Sequence, residues 1–333
     1  MIGPPDHRGV GVLIVSSVGW RLILGVVAVV SGLVLVGSPA GAVTPRPTDD
    51  RSRVVAVDPA GFFTARIIGG DSLVEITVAP GHEVPIYGYG GEPYLRVPAD
   101  GSVEVNRQSA AVDLNRDREA DLTTASTAGF IAVDWQSAAS GRTAVWHDHR
   151  IHAVPGAELT GPIDWQIPIA VDGVDGEIHG QLERLAAPSP VPGLAVALLV
   201  AGAILLLGPG RPITTAAMAL AAACIVAGLT GYLEWRALPA AVPRNLGLVL
   251  LPAGAAAALI PGVIVERRQV RLVAMLISVS LLAGWLAFRW SILTRAVLIS
   301  PLAPIVDRAG LSLVLGAAVA AAGLVVTWAG SVE

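Results

Sequence analysis

The sequence predicts two bodies of different class, an exported all-β domain followed by an all-α transmembrane bundle of about five helices. Three observations predict it. The chain is 53% apolar and only 14% charged, whereas an ordinary soluble domain carries about 25% charged residues. Short β-like runs broken by Gly, Pro and Asp fill residues 54–187, and long apolar runs fill residues 188–333. The charge divides at the same place: residues 43–187 hold 11 Arg against 21 acidic residues, and residues 188–333 hold 9 Arg against 4.

Residues 1–42 read as an export signal. Arg21 precedes the apolar run Leu22–Val36, and Ser38-Pro39-Ala40-Gly41-Ala42 closes it with small residues in an A-x-A arrangement, which predicts cleavage after Ala42. Residues 43–53 are polar and contain Pro, as a flexible lead-in does. The exported domain then spans residues 54–187. Its predicted strands are Phe62–Ile68, Leu73–Val78, Val84–Tyr87, Tyr94–Val97, Val103–Val105, Phe130–Val133, Thr143–His149, Ile163–Val171 and Glu177–Leu182. Turn residues lie between them, notably Gly69-Gly70-Asp71-Ser72 and Asp172-Gly173, and no helical stripe is sustained. Residues 107–128 read as a long polar loop. Strands at this spacing predict an antiparallel sandwich, Ig/cupredoxin-like in outline. The single cysteine, Cys224, lies beyond this domain, which excludes a disulfide framework and a blue-copper centre there. Its acidity excludes nucleic acid as a partner.

Residues 188–333 form the membrane domain. The apolar segments 191–207, 213–233, 246–265, 270–290 and 311–328 approach the ~20 residues that cross hydrocarbon. An exported N-terminal domain and five spans place the C-terminus in the cytoplasm, with the lipid bilayer as partner. The cluster Glu266–Arg271 then falls inside, and two Pro- and Arg-containing loops, 236–244 and 295–308, fall outside. No ionisable residue sits deep within a segment, and Glu234, Glu266 and Arg289 lie at segment ends. That argues against a proton-coupled transporter. Gly254–Ala258 and Gly316–Ala320 suit close helix packing.

The stretch Trp146-His147-Asp148-His149-Arg150-Ile151-His152 holds three of the chain's six histidines. On a strand, His147 and His149 would share one face and could chelate a metal with His152, or with distant His82 or His179. No Cys or Met occurs in residues 43–187, so copper or zinc as Cu(II) or Zn(II) is the form expected. The structural alternative pairs Asp148 with Arg150 and places Trp146 in the core. Three lookalikes fail. Gly70-Asp71-Ser72-Leu73 imitates a hydrolase nucleophile block but lies in a turn and lacks the later Asp-x-x-His. Arg66–Gly70 imitates a protease activation site without the protease's catalytic residues. Asp113–Asp117 opens like a calcium loop, but Arg118 replaces the required Gly and Thr124 the required Glu. No catalytic constellation is intact, so the chain reads as a non-enzyme.

Four blocks occur in order: Gly88–Arg96, containing Glu92, Tyr94 and Arg96; Glu104–Arg107; Leu114–Arg118, containing Asn115; and Trp146–His152, containing Trp146, Asp148 and Arg150. Over residues 54–185 this pattern resembles a family of actinobacterial, mycobacterial-type conserved membrane proteins with an exported β domain and a helical tail. The resemblance implies architecture, location and structural or ligand-binding roles for those seven residues, and no activity. The expectation is a multi-pass cell-membrane protein whose extracytoplasmic domain has a binding or scaffold role toward an envelope protein. The alternative is Cu(II) or Zn(II) handling through His147, His149 and His152.

Overall fold

A computed structural model describes residues 43–120, 133–153, 159–208 and 210–330. The predicted signal with its Ala42 cleavage point, and residues 130–132 of one predicted strand, lie outside them.

Ten strands build the N-terminal domain: β1 (Asp50–Asp58), β2 (Phe63–Ile68), β3 (Leu73–Val78), β4 (Val84–Tyr87), β5 (Pro93–Val97), β6 (Ser102–Asn106), β7 (Trp135–Ser140), β8 (Thr143–Trp146), β9 (Ile163–Val171) and β10 (Val174–Arg184). A short helix α1 (Ala111–Leu114) follows β6. The larger sheet has seven strands in the order β1-β10-β9-β4-β5-β6-β7, and the smaller has the order β2-β3-β8. Pairing is antiparallel throughout. Inward residues of both sheets share one core, with Val74 and Ile76 from the small sheet meeting Ile86, Val97, Ile167 and Ile178 from the large one. Period-2 alternation drives this burial, and the result is a sandwich. Asp172-Gly173 closes the β9–β10 hairpin. Both residues have positive φ, 51° and 83°, as a two-residue I′ turn requires.

Two strands were not expected. β1 begins at Asp50, inside the segment read as a lead-in, because its Arg and Asp side chains face out while its backbone pairs with β10 from Asp50↔Arg184 onward. β7 is mostly exposed and so lacks the apolar alternation that would have marked it. The predicted strand Thr143–His149 is cut short: β8 ends at Trp146, and His149–Ile151 form a 3-10 turn.

The C-terminal domain consists of α2 (Val191–Leu207), α3 (Pro212–Ala237), α4 (Gly247–Ile264), α5 (Arg268–Arg289) and α6 (Pro304–Gly330), with a 3-10 turn at Trp290–Leu293. Four of these helices are long and apolar enough to cross a membrane; α2, at 17 residues, is shorter. Leu198, Leu199, Met218, Ile225, Val263 and Ile264 are exposed, as side chains facing lipid acyl chains would be. Inside, glycine permits close approach. A Cβ at Gly231 would overlap the Leu248 carbonyl, and one at Gly316 the Ala197 carbonyl.

The ionisable groups Glu234, Arg289 and Asp307 lie at helix ends, as expected for Glu234 and Arg289, but they are not exposed there. Arg289 is 1% exposed, and its Nη2 donates to Asp307 Oδ1 at 2.8 Å and pairs with Glu234 Oε2 at 2.8 Å. The three residues are near the ends of α5, α6 and α3, yet helix packing buries them against one another. Arg289 also stacks over Trp285, 5.0 Å from its ring centre.

The two domains are in contact. Thr48 and Val297 exchange backbone hydrogen bonds of 3.1 and 2.8 Å. Asp49 accepts from Arg295 Nη1 at 2.5 Å and from the Ala296 N–H at 2.9 Å. Beside this bridge Ile68 and Leu73 of the β domain pack on Leu238 and Val242 of the α3–α4 loop.

Candidate metal centre

The site begins where β8 stops. Asp148 is extended (φ −139°, ψ 123°), and its carboxylate accepts the Arg150 backbone N–H at 3.1 Å, capping the 3-10 turn as a helix N-cap does. The same carboxylate receives Arg150 Nε at 2.8 Å, Arg150 Nη2 at 2.7 Å and Trp146 Nε1 at 3.0 Å. Asp148 is fully buried. Burial pushes its pKa up, but the Arg150 charge and these hydrogen bonds outweigh that and hold it below the usual carboxylate range. Trp146, Asp148 and Arg150 are thus joined around one buried carboxylate. Its effect is to turn the chain so that His152 comes back beside His147 and His149.

The three imidazoles are buried, at 3%, 7% and 8% exposure. One ring nitrogen from each lies within 4.8 Å of the other two, and the ring centres are 4.9–5.1 Å apart. Each ring is also fixed by a backbone carbonyl. His147 Nδ1 meets Ser72 O at 2.6 Å, His149 Nε2 meets Leu114 O at 3.0 Å, and His152 Nδ1 meets Ala153 O at 2.8 Å. A carbonyl can only accept, so each of those nitrogens carries the N–H. The remaining nitrogens are His147 Nε2, His149 Nδ1 and His152 Nε2. His149 Nδ1 and His152 Nε2 are within hydrogen-bonding distance of each other, at 3.0 Å, and His147 Nε2 has no hydrogen-bond partner among the described residues. Burial lowers the His147 pKa to about 4 and moves that of His152 down as well. Neighbouring imidazoles add to both shifts.

Three buried imidazoles, each tied to a backbone carbonyl and each offering a nitrogen within 4.8 Å of the others, are a group that could hold a metal ion. It does not arise from two histidines on one strand face, as the sequence suggested. It arises from a strand end, a 3-10 turn and the residue after that turn. His82 and His179 stand apart. His82 pairs with Asp172 at 2.7 Å and His179 with Glu177 at 3.1 Å.

The other candidate residues form the scaffold. Glu92 accepts from Ser109 Oγ at 2.6 Å and from the Gly90 N–H at 2.9 Å. Tyr94 lies in the sandwich core, where burial pushes its hydroxyl up to about 12. Arg96 pairs with Glu104 at 2.5 Å and lies over Trp135. Asn115 accepts from the Tyr89 hydroxyl, and that hydroxyl accepts the His149 backbone N–H at 2.9 Å.

Three participants escaped the sequence. Tyr89, from the β4–β5 loop, and the carbonyl of Leu114, at the end of α1, hold His149 from positions distant in sequence, and only the fold brings them there. Asp71, 1% exposed and paired with Arg118 at 2.5 Å, lies in the glycine-rich turn between β2 and β3. A cleft of about 190 Å³, lined by Leu73, Asn115, Trp146, His147 and, from the bundle, Val242 and Pro243, opens beside the site at the domain contact. No family model, curated protein or solved structure matches the chain.

Proposed function

We propose that the β domain binds a single transition-metal dication, Zn(II) or Cu(II), through His147, His149 and His152, and that the helical bundle holds it at the outer face of the cell membrane. The observation that carries this reading is the set of three carbonyl anchors. With Ser72 O, Leu114 O and Ala153 O holding the three rings, one nitrogen of each ring lies within 4.8 Å of the other two, close enough for one cation to take all three. Nitrogen donors without sulfur suit these two metals. The extracytoplasmic side follows from the export signal read in residues 1–42, and five apolar segments would then leave the C-terminus in the cytoplasm.

The test is calorimetric titration of the full-length protein in detergent with Zn(II) and Cu(II), beside the variant H147A/H149A/H152A. The parent should bind one equivalent, more tightly as pH rises through the histidine range because protons compete for the same nitrogens. The variant should bind none. Equal binding by a folded triple variant would refute the proposal.

A further inference from the structure

We infer that Asp71 is the fourth ligand of this centre, so that the metal is enclosed by three imidazoles and one carboxylate and excludes exogenous ligands. The inference rests on the metal reading above.

Asp71 sits in the β2–β3 turn. Its Oδ2 is held by Arg118 Nη2 at 2.5 Å, but its Oδ1 is buried with no hydrogen-bond partner among the described residues. A buried carboxylate oxygen without a partner is costly, so a group that satisfies Oδ1 is to be expected. Asp71 is the chain neighbour of Ser72, whose carbonyl meets His147 Nδ1, and Asp71 and His152 interact electrostatically, so the turn that carries Asp71 lies beside the histidine set. His147 Nε2 is likewise buried without a partner among the described residues, and one cation can satisfy both an unpartnered oxygen and an unpartnered nitrogen.

The carboxylate stands outside the 4.8 Å group formed by the three ring nitrogens, so side-chain rotation must bring Oδ1 to the metal. Arg118 can keep Oδ2 during that rotation, leaving Oδ1 to bind through one oxygen. Hydrogen-bonded carboxylate ligands of this kind are a common outer-shell arrangement. The charge balance agrees: Arg118 neutralises Asp71 before the metal arrives, and the carboxylate offsets one charge of a buried dication afterwards. Three nitrogens and one oxygen around a closed site favour the four-coordinate geometry of Zn(II) over the tetragonal preference of Cu(II).

The experiment uses full-length protein in detergent micelles loaded with Co(II), whose visible spectrum reports coordination, with azide as the probe ligand. The parent spectrum should not change on adding azide. Asp71→Ala should bind Co(II) at least about tenfold more weakly, and its spectrum should shift with azide as the vacated position fills. Asp71→Asn, which keeps the side-chain volume, should behave in the same way. A parent spectrum that shifts with azide overturns the inference even if neither variant folds. Variants that match the parent in affinity and remain insensitive to azide overturn it as well. A parent that takes up no Co(II) defeats the metal reading itself, and that failure is distinguishable from the other two.

Discussion

The Asp148 carboxylate accepts hydrogen bonds from one backbone N–H and two side chains while wholly excluded from solvent. Removing it leaves the Arg150 guanidinium without its counter-charge in a largely buried place. Asp148→Ala should therefore cost about 3–5 kcal/mol, read as a lower denaturation midpoint by tryptophan fluorescence. Because the carboxylate also caps the turn carrying His149, the variant should lose metal affinity as well. His147 gives a pH dependence whose sign is fixed. Its folded pKa, about 4, lies below its ordinary value of 6.5, so protonation favours the unfolded chain. Its full contribution is present above pH 6.5 and is lost as pH falls toward 4, at most about 3 kcal/mol. The metal-free protein should show that loss in thermal melts across this window, and His147→Phe should flatten the profile. The sequence displayed the histidines, Asp148 and Arg150 because they are contiguous. It could not display Ser72 or Leu114 as ring anchors, since a backbone carbonyl has no residue-type signature and the two come from a turn and a helix end far apart in sequence.

Among the elements, the β2–β3 turn is tied to β1 through Gly70, to Arg118 through Asp71 and to His147 through Ser72. Gly69 and Gly70 have φ of 67° and 78°, conformations that cost a residue with a Cβ roughly 1–2 kcal/mol. At Gly70 a Cβ would also press on Thr48 and on the Asp50 carbonyl. Gly70→Ala should displace the turn that carries both Asp71 and the Ser72 carbonyl, and weaken metal binding more than its effect on stability alone accounts for. Calorimetry on the folded variant checks this. The Gly-Gly-Asp-Ser run was legible as a turn from its composition, and Asp172-Gly173 as a hairpin. Strand β7 was not legible, because it lies at the sheet edge with most of its side chains in solvent. The His149 turn was missed for another reason: Thr143–His149 reads as one strand until Asp148 is seen to cap a turn with its own side chain.

For the whole molecule, the division into a β sandwich and an apolar helical bundle was visible in composition alone, because lipid and water demand different residues over long stretches. How the bodies meet was not visible, since single bridges such as Asp49 to Arg295 leave no pattern. Nor was the burial of Arg289, which is set by how three helix ends converge. Arg289→Met would leave Asp307 and Glu234 without their shared cation. It should lower the stability of the bundle in detergent by several kcal/mol, measured as a drop in unfolding temperature. The bridge from Thr48 and Asp49 to Val297 and Arg295 precedes β1, while the other end of the sandwich runs directly into α2. In mechanical terms the bridge acts as a strain relief. Tension applied upstream of Thr48 is shared with the bundle through Val297 and Arg295 before it reaches the sheet and its histidines.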